Sequence, residues 1–219
     1  MKMLLLIGML LLVLAACQNS ANEREDLLQE EVPGENVETD PEEAEGDAEL
    51  TEKEKLLKKA DTALLTLSKQ DWQSLSKMTH PKKGLTFSFY AAIGTDEDND
   101  VTFTKEEAAN LGNDTEYIWG YDHGDQQFIM TAHNWVTNYL LMHQGVSSVD
   151  YTEVTYNDSI VESGGMINTI ADEYPEAKYV EYYSPPSDIE FDWQALRFVF
   201  EEKEGEWYLV AIVRDVYSP

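Results

Sequence analysis

A single cysteine, Cys17, stands among 219 residues. One thiol cannot form an internal disulfide, and its place ahead of the folded part excludes both a cysteine nucleophile and a Cys-ligated zinc centre from the domain. Basic residues are also scarce, with 15 Lys and Arg against 43 Asp and Glu and a net charge of −28. A surface that acidic repels phosphate backbones, so nucleic acid is excluded as a partner. The longest uncharged apolar run is MLLLIGMLLLVLAA, residues 3–16. It is too short for a membrane-spanning helix, which needs about 20 residues. No G-x-S-x-G elbow, phosphate-binding loop, dinucleotide fingerprint or His-x₃-His pair occurs.

What is present at the start of the chain is an address. Lys2 followed by the apolar run fits the charged and hydrophobic regions of an export signal, residues 1–16. The run ends in LAAC, residues 14–17, which resembles the bacterial lipobox. That resemblance implies cleavage before Cys17 and diacylglycerol on its thiol. Two acyl chains anchor stably where one does not, so the expected location is the outer face of the cytoplasmic membrane, with the bilayer as partner. Residues 18–50 carry thirteen Asp and Glu, one Arg, two Pro, two Gly and no aromatic residue. Such a segment buries too little apolar surface to fold, and its like charges keep it extended. With Cys17 it forms an acidic tether, residues 17–50, reaching at most about 110 Å.

Residues 51–219 form the expected single domain, with thirteen Lys and Arg against thirty Asp and Glu. Thr51 and Glu54 make a capping box ahead of Leu57, Ala60, Leu64 and Leu67 at helical spacing. A second helical stretch starts at Asp71 and stops before Pro81. Residues 84–94, 151–161 and 178–184 read as strands, 115–131 as a hairpin and 133–143 as an amphipathic helix. Residues 193–217 read as a long hairpin turning on Glu204 and Gly205. Helices first and antiparallel strands afterwards predict an α+β domain, with N-terminal helices packed on a curved sheet.

The stretches QDWQSLSKMTHPKKGLTFS (70–88), FDWQALRFVF (191–200) and EWYLVAIVRD (206–215) resemble a group of uncharacterised Gram-positive lipoproteins. These share a His80-Pro81 turn, a Trp119-Gly120-Tyr121-Asp122 hairpin and a closing Trp207-Tyr208-Leu209-Val210 strand. The pattern also resembles the NTF2-like cone fold, in which helices and a curved sheet enclose a pocket. That resemblance leaves function open, because such domains include enzymes, ligand binders and assembly modules.

Two readings compete for GTDEDNDVTFTKEEAANLG, residues 94–112. Counted from Asp96, the residues Asp98, Asp100, Thr102 and Glu107 fall in the register of a helix-loop-helix calcium site. Val101 stands where that loop needs glycine, and the segment before it reads as a strand. The other reading makes 94–100 a turn, 101–103 a short strand, and Thr104 with Glu107 a capping box. The cap is the expected state and calcium the alternative.

The four histidines, His80, His123, His133 and His143, share no metal-ligand spacing and are expected to be structural or exposed. The domain has two arginines, Arg197 and Arg214. An uninterrupted hairpin around 204–205 pairs Arg197 with Ile212 and sets Arg214 beside it on the same sheet face; a shift of one residue separates them. Together they form the candidate anion-binding pair, with internal carboxylate partners as the competing role. Trp119, Tyr121, Trp135, Tyr182, Tyr183 and Trp193 serve a core or a sugar-stacking surface. The expected function is a non-catalytic module binding a cell-surface protein, wall polymer or small ligand. The alternatives are a pocket enzyme with an acidic general base and a calcium-dependent wall or carbohydrate binder.

Overall fold

In the computed structural model the described residues are 50–95, 99–122, 126–143, 147–161, 167–186 and 191–217, all within the unit 47–219. The signal, Cys17, nearly all of the tether, Asp96, Asp98 and His123 lie outside them.

Local chemistry sets the helix ends. Helix α1 (Glu52–Lys69) opens on the expected box: Glu54 N–H donates to Thr51 Oγ1 at 3.3 Å, and Thr51 N–H to Glu54 Oε2 at 2.8 Å. It buries Leu56, Ala60, Ala63 and Leu67, while Leu57 and Leu64 are only partly covered. Gln70 ends it in the left-handed region, and Asp71 immediately caps α2 (Trp72–Met78) by accepting from Ser74 N–H.

The main sheet has six strands: β1 (Leu85–Ser88), β2 (Asp100–Phe103), β7 (Glu153–Tyr156), β8 (Lys178–Ser184), β9 (Gln194–Lys203) and β10 (Glu206–Val216). Their order is β2-β1-β10-β9-β8-β7. All neighbours are antiparallel except β1 and β10, which run parallel with Thr86 opposite Ala211. The chain is therefore α+β with helices on a curved sheet, as expected. The parallel join departs from a purely antiparallel sheet.

The inner face carries Leu85, Phe87, Val180, Leu196, Phe198, Phe200, Leu209 and Ile212 against α1 and α2. Each fully buried side chain of this size is worth roughly 1.5–3 kcal/mol. The rest of that face is covered by the hairpin β3 (Glu116–Asp122) and β4 (Gln126–Thr131), and by α4 (Ala132–Trp135). Trp119 and Trp135 stack there at 5.2 Å. Gly120 is required at this point, since a Cβ would sit 2.7 Å from Phe89. On the outer face Ile93, Val199, Val210, Ala211 and Val213 pack under α5 (Ile170–Glu173), with Ile170 and Tyr174. The sequence reading did not contain α5.

Two expected elements are shorter than read. The strand at 84–94 ends at Ser88, whose hydroxyl donates to Tyr90 O; the chain then leaves the sheet and turns at Gly94, with φ 75°. The helix at 133–143 becomes α4 plus a π-helical turn, Val136–Leu140, in which Leu141 N–H reaches Val136 O. The short strand β5 (Met142–His143) follows, paired with β6 (Ser147–Ser148).

Candidate functional site

The β9–β10 hairpin turns on Glu204 (φ 56°) and Gly205 (φ 84°), as expected. Both central residues in the left-handed region match the twist of a two-residue hairpin. From the turn outward Glu206 faces Lys203 and Leu209 faces Phe200. Val210 then bulges, so Ala211 faces Val199, Val213 faces Arg197 and Arg214 faces Leu196. The single extra residue corrects the expected pairing of Arg197 with Ile212. It turns Arg214 inward and leaves Arg197 outward, so the arginines do not share a pocket.

Arg197 pairs with two carboxylates, and its Nη1 is buried without a hydrogen-bond partner. Its Nε donates to Glu181 Oε2 at 2.7 Å, and its Nη2 donates to Asp215 Oδ2 at 3.0 Å. All three side chains are buried. Ser159 closes the network, accepting from Arg197 Nη2 at 3.0 Å and donating to Glu181, while Ile160 N–H donates to Glu181 Oε1 at 2.6 Å. The cluster holds residues 159–160 against the outer face.

Arg214 is held differently. Its Nε donates to Tyr139 O at 3.2 Å and Gln194 Oε1 at 3.1 Å. Gln194 Nε2 donates to Tyr139 O at 2.9 Å, Leu140 O at 3.3 Å and Tyr151 Oη at 2.8 Å, and Tyr151 O–H donates to Leu140 O. The π turn thus gives its last carbonyls to this group. The guanidinium lies 5.1 Å from the Phe89 ring and 5.6 Å from the Tyr139 ring, a favourable place for a cation. Nη1 and Nη2 are buried and have no hydrogen-bond partner. Burial lowers the pKa to about 10, so the group stays charged at neutral pH. Burial likewise pushes the Tyr151 hydroxyl up, keeping it a neutral donor. Around Phe89 stand Phe128, stacked at 4.5 Å, Trp135 at 5.2 Å and Tyr90 at 4.8 Å.

The acidic stretch follows the cap reading over its described residues. Glu107 Oε2 accepts from Thr104 N–H at 2.8 Å, and Thr104 Oγ1 accepts from Glu107 N–H at 3.2 Å, opening α3 (Lys105–Ala108). Asp100 and Thr102 lie in β2, opposite Ser88 and Thr86, and Asp100 Oδ2 accepts from Gly94 N–H at 2.7 Å. Of the residues in the calcium reading, Asp100 lies in a strand and Glu107 in a cap, while Asp96 and Asp98 lie outside the described residues.

His80 is buried; its Nδ1 accepts from Lys82 and Lys83 N–H at 3.2 and 2.8 Å, and its ring meets Tyr208 edge-on. His133 pairs with Gln70 on the surface. Trp119, Trp135, Tyr182 and Trp193 are buried, and Tyr121 and Tyr183 half-buried, so these rings form no exposed stacking platform. A surface cleft of about 390 Å³ lies between the start of α2 and residues 109–113, and one of about 340 Å³ lies beside α5 and β8. In the first, Asp71 is spent on the α2 cap and Gln73 on Ala109 O.

Sequence reasoning found both arginines but not their companions. Glu181 sits directly across from Arg197 in the β8–β9 ladder, an opposite-charge pair that strand alignment could have exposed. Gln194, Tyr151 and Phe89 left no local signal.

No protein-family profile matches the chain, and no curated protein matches it. Among solved structures it is similar to a designed NTF2-like protein, at 13% identity and a TM-score of 0.36 over 75% of this chain and 99% of that one. It is also similar to a Xanthomonas campestris chain described as a candidate calcium/calmodulin dependent protein kinase II association domain. There the identity is 10% and the TM-score 0.32, over 76% of this chain and 87% of that one. At TM-scores this low, neither likeness carries an argument about ligand or assembly.

Proposed function

We propose that the protein is a lipid-anchored lipoprotein on the outer face of the cytoplasmic membrane, held by Cys17. Its folded domain is a non-catalytic module that takes a ligand on the inner face of the sheet, among the rings around Arg214. One observation carries the binding role: a buried, charged guanidinium with two unpartnered nitrogens in an aromatic setting. Native structures leave few such groups without a reason, and a ligand is one. The buried carboxylates among the described residues, Glu181 and Asp215, are both bound to Arg197. That spends the groups a pocket enzyme would use as general base and favours binding over catalysis. The lipobox and acidic tether support the location, and the calcium-dependent alternative loses Glu107 to its cap.

The test is a thermal-melt screen of the full chain in detergent against small neutral, cationic and anionic compounds. Binding in the ring cluster raises the melting point for at least one class, and Phe89→Leu diminishes that shift. Uniform indifference to all classes would reject the binding role. Separately, Cys17→Ser is expected to move the protein from the membrane fraction to the soluble fraction.

A further inference from the structure

We infer that Arg214 is a carboxylate-binding residue. Its Nη1 and Nη2 receive the two oxygens of a small monocarboxylate whose apolar body packs on Phe89 and Tyr139. The inference rests on the proposed binding role and narrows it to one ligand class.

Three features carry it. First, the unused donors are the pair at the end of the planar fork, since Nε is already bonded twice. A guanidinium edge with two parallel N–H groups matches a carboxylate oxygen for oxygen. Second, the fork is oriented before any ligand arrives. Gln194, which accepts from Nε, is itself anchored to Tyr139 O, Leu140 O and Tyr151. A donor group set in advance loses less on binding. Third, the chain at this point departs from regular helix. The π turn at Val136–Leu140 brings Tyr139 to the guanidinium, and such turns concentrate at functional sites.

Charge selects among anions. Arg214 balances the excess negative charge of the buried set Arg197, Glu181 and Asp215, so a monoanion adds a single negative charge to a balanced set. A phosphate dianion would add two inside a protein already at −28, which is more unfavourable. The rings select an apolar body. Phe89 is buried, but Tyr90, Phe128 and Tyr139 are half-buried, so they are the layer a ligand displaces on entry. Arg197, by contrast, already holds two carboxylates of its own.

The experiment is calorimetric and thermal titration of the full chain in detergent with benzoate and hexanoate. Benzamide and hexanamide serve as uncharged analogues of the same shapes, and phenyl phosphate as the dianion. The expected result is binding of the carboxylates with affinities roughly tenfold to a hundredfold above the amides, the worth of charged hydrogen bonds. Arg214→Met removes that preference, and Arg214→Lys weakens it, because an ammonium offers no fork. The carboxylate–amide comparison on the unaltered protein decides the matter even where a variant fails to fold. Amides binding as well as carboxylates would overturn the carboxylate assignment and leave the binding role standing. Phenyl phosphate binding more tightly would overturn the choice of anion. No binding by any compound would mean that water alone meets Nη1 and Nη2, and both readings would fall.

Discussion

Two arginines of the same strand pair illustrate how differently one buried charge can be handled. Arg197 sits between Glu181 and Asp215. Replacing it by Met strands two buried carboxylates, and the expected loss is about 3–5 kcal/mol. Arg214 neutralises no carboxylate through a hydrogen bond. Met there leaves one orphan, Gln194 Oε1, costing about 1–3 kcal/mol, and deprives no carboxylate of a hydrogen bond. Arg214→Met is therefore expected to cost less stability than Arg197→Met. Urea midpoints of the two variants check the contrast, and equal losses would contradict it. His80 offers a second residue-level test. Burial, and then Lys83, Lys203 and Lys82, hold its pKa below the ordinary value against the opposing pull of Glu201. The unfolded chain takes up a proton near pH 6.5 and the folded chain only lower. Stability is thus complete above about pH 6.5 and declines as pH falls from there toward the depressed folded value. Urea midpoints between pH 7.5 and 5.5 should fall for the parent and stay nearly level for His80→Asn.

At the scale of elements, the Val210 bulge decides the site. Before it, β10 follows the register imposed by the Glu204–Gly205 turn; after it, every side chain lies on the face opposite to that expected. Deleting Val210 would merely remove the extra residue and keep both arginines on their faces, but deleting Val213, beyond the bulge, would turn Arg214 out and Asp215 in, stripping Arg197 of one partner and burying an unpaired acid. The expected outcome is loss of a cooperative melt by tryptophan fluorescence. Val210→Ala, which keeps the register and trims a buried side chain, should cost only about 1–3 kcal/mol. The bulge was not legible in the sequence, because Val210 is a β-branched apolar residue like its strand neighbours and carries no turn chemistry. The capping boxes at Thr51 and Thr104 were legible, since each satisfies backbone donors within three residues of itself.

For the molecule as a whole, acidity is the dominant property. A net charge of −28 opposes compaction by self-repulsion, which salt screens. The melting point is expected to rise with NaCl. With Glu107 committed to Thr104, calcium and magnesium at equal ionic strength should raise it equally. A larger rise in calcium, erased by Glu107→Gln and by Asp98→Asn, would contradict this and restore the acidic stretch as a metal site.

The sequence by itself determined the features that act over a few residues. These are the caps of α1, α2 and α3, the Gly205 turn, the strand runs at 178–184 and 193–217, and the α+β class that follows from their order. It also named the two arginines. Only the tertiary structure decided that β1 joins β10 in parallel, that the aromatic rings close over the inner face, and which arginine each face receives. Thr86 meets Ala211, and Arg214 meets Tyr139, across long stretches of chain. Contacts at such separations are chosen by which combination buries the most apolar surface with the fewest unpaired polar groups, a sum over the whole domain that no local pattern records.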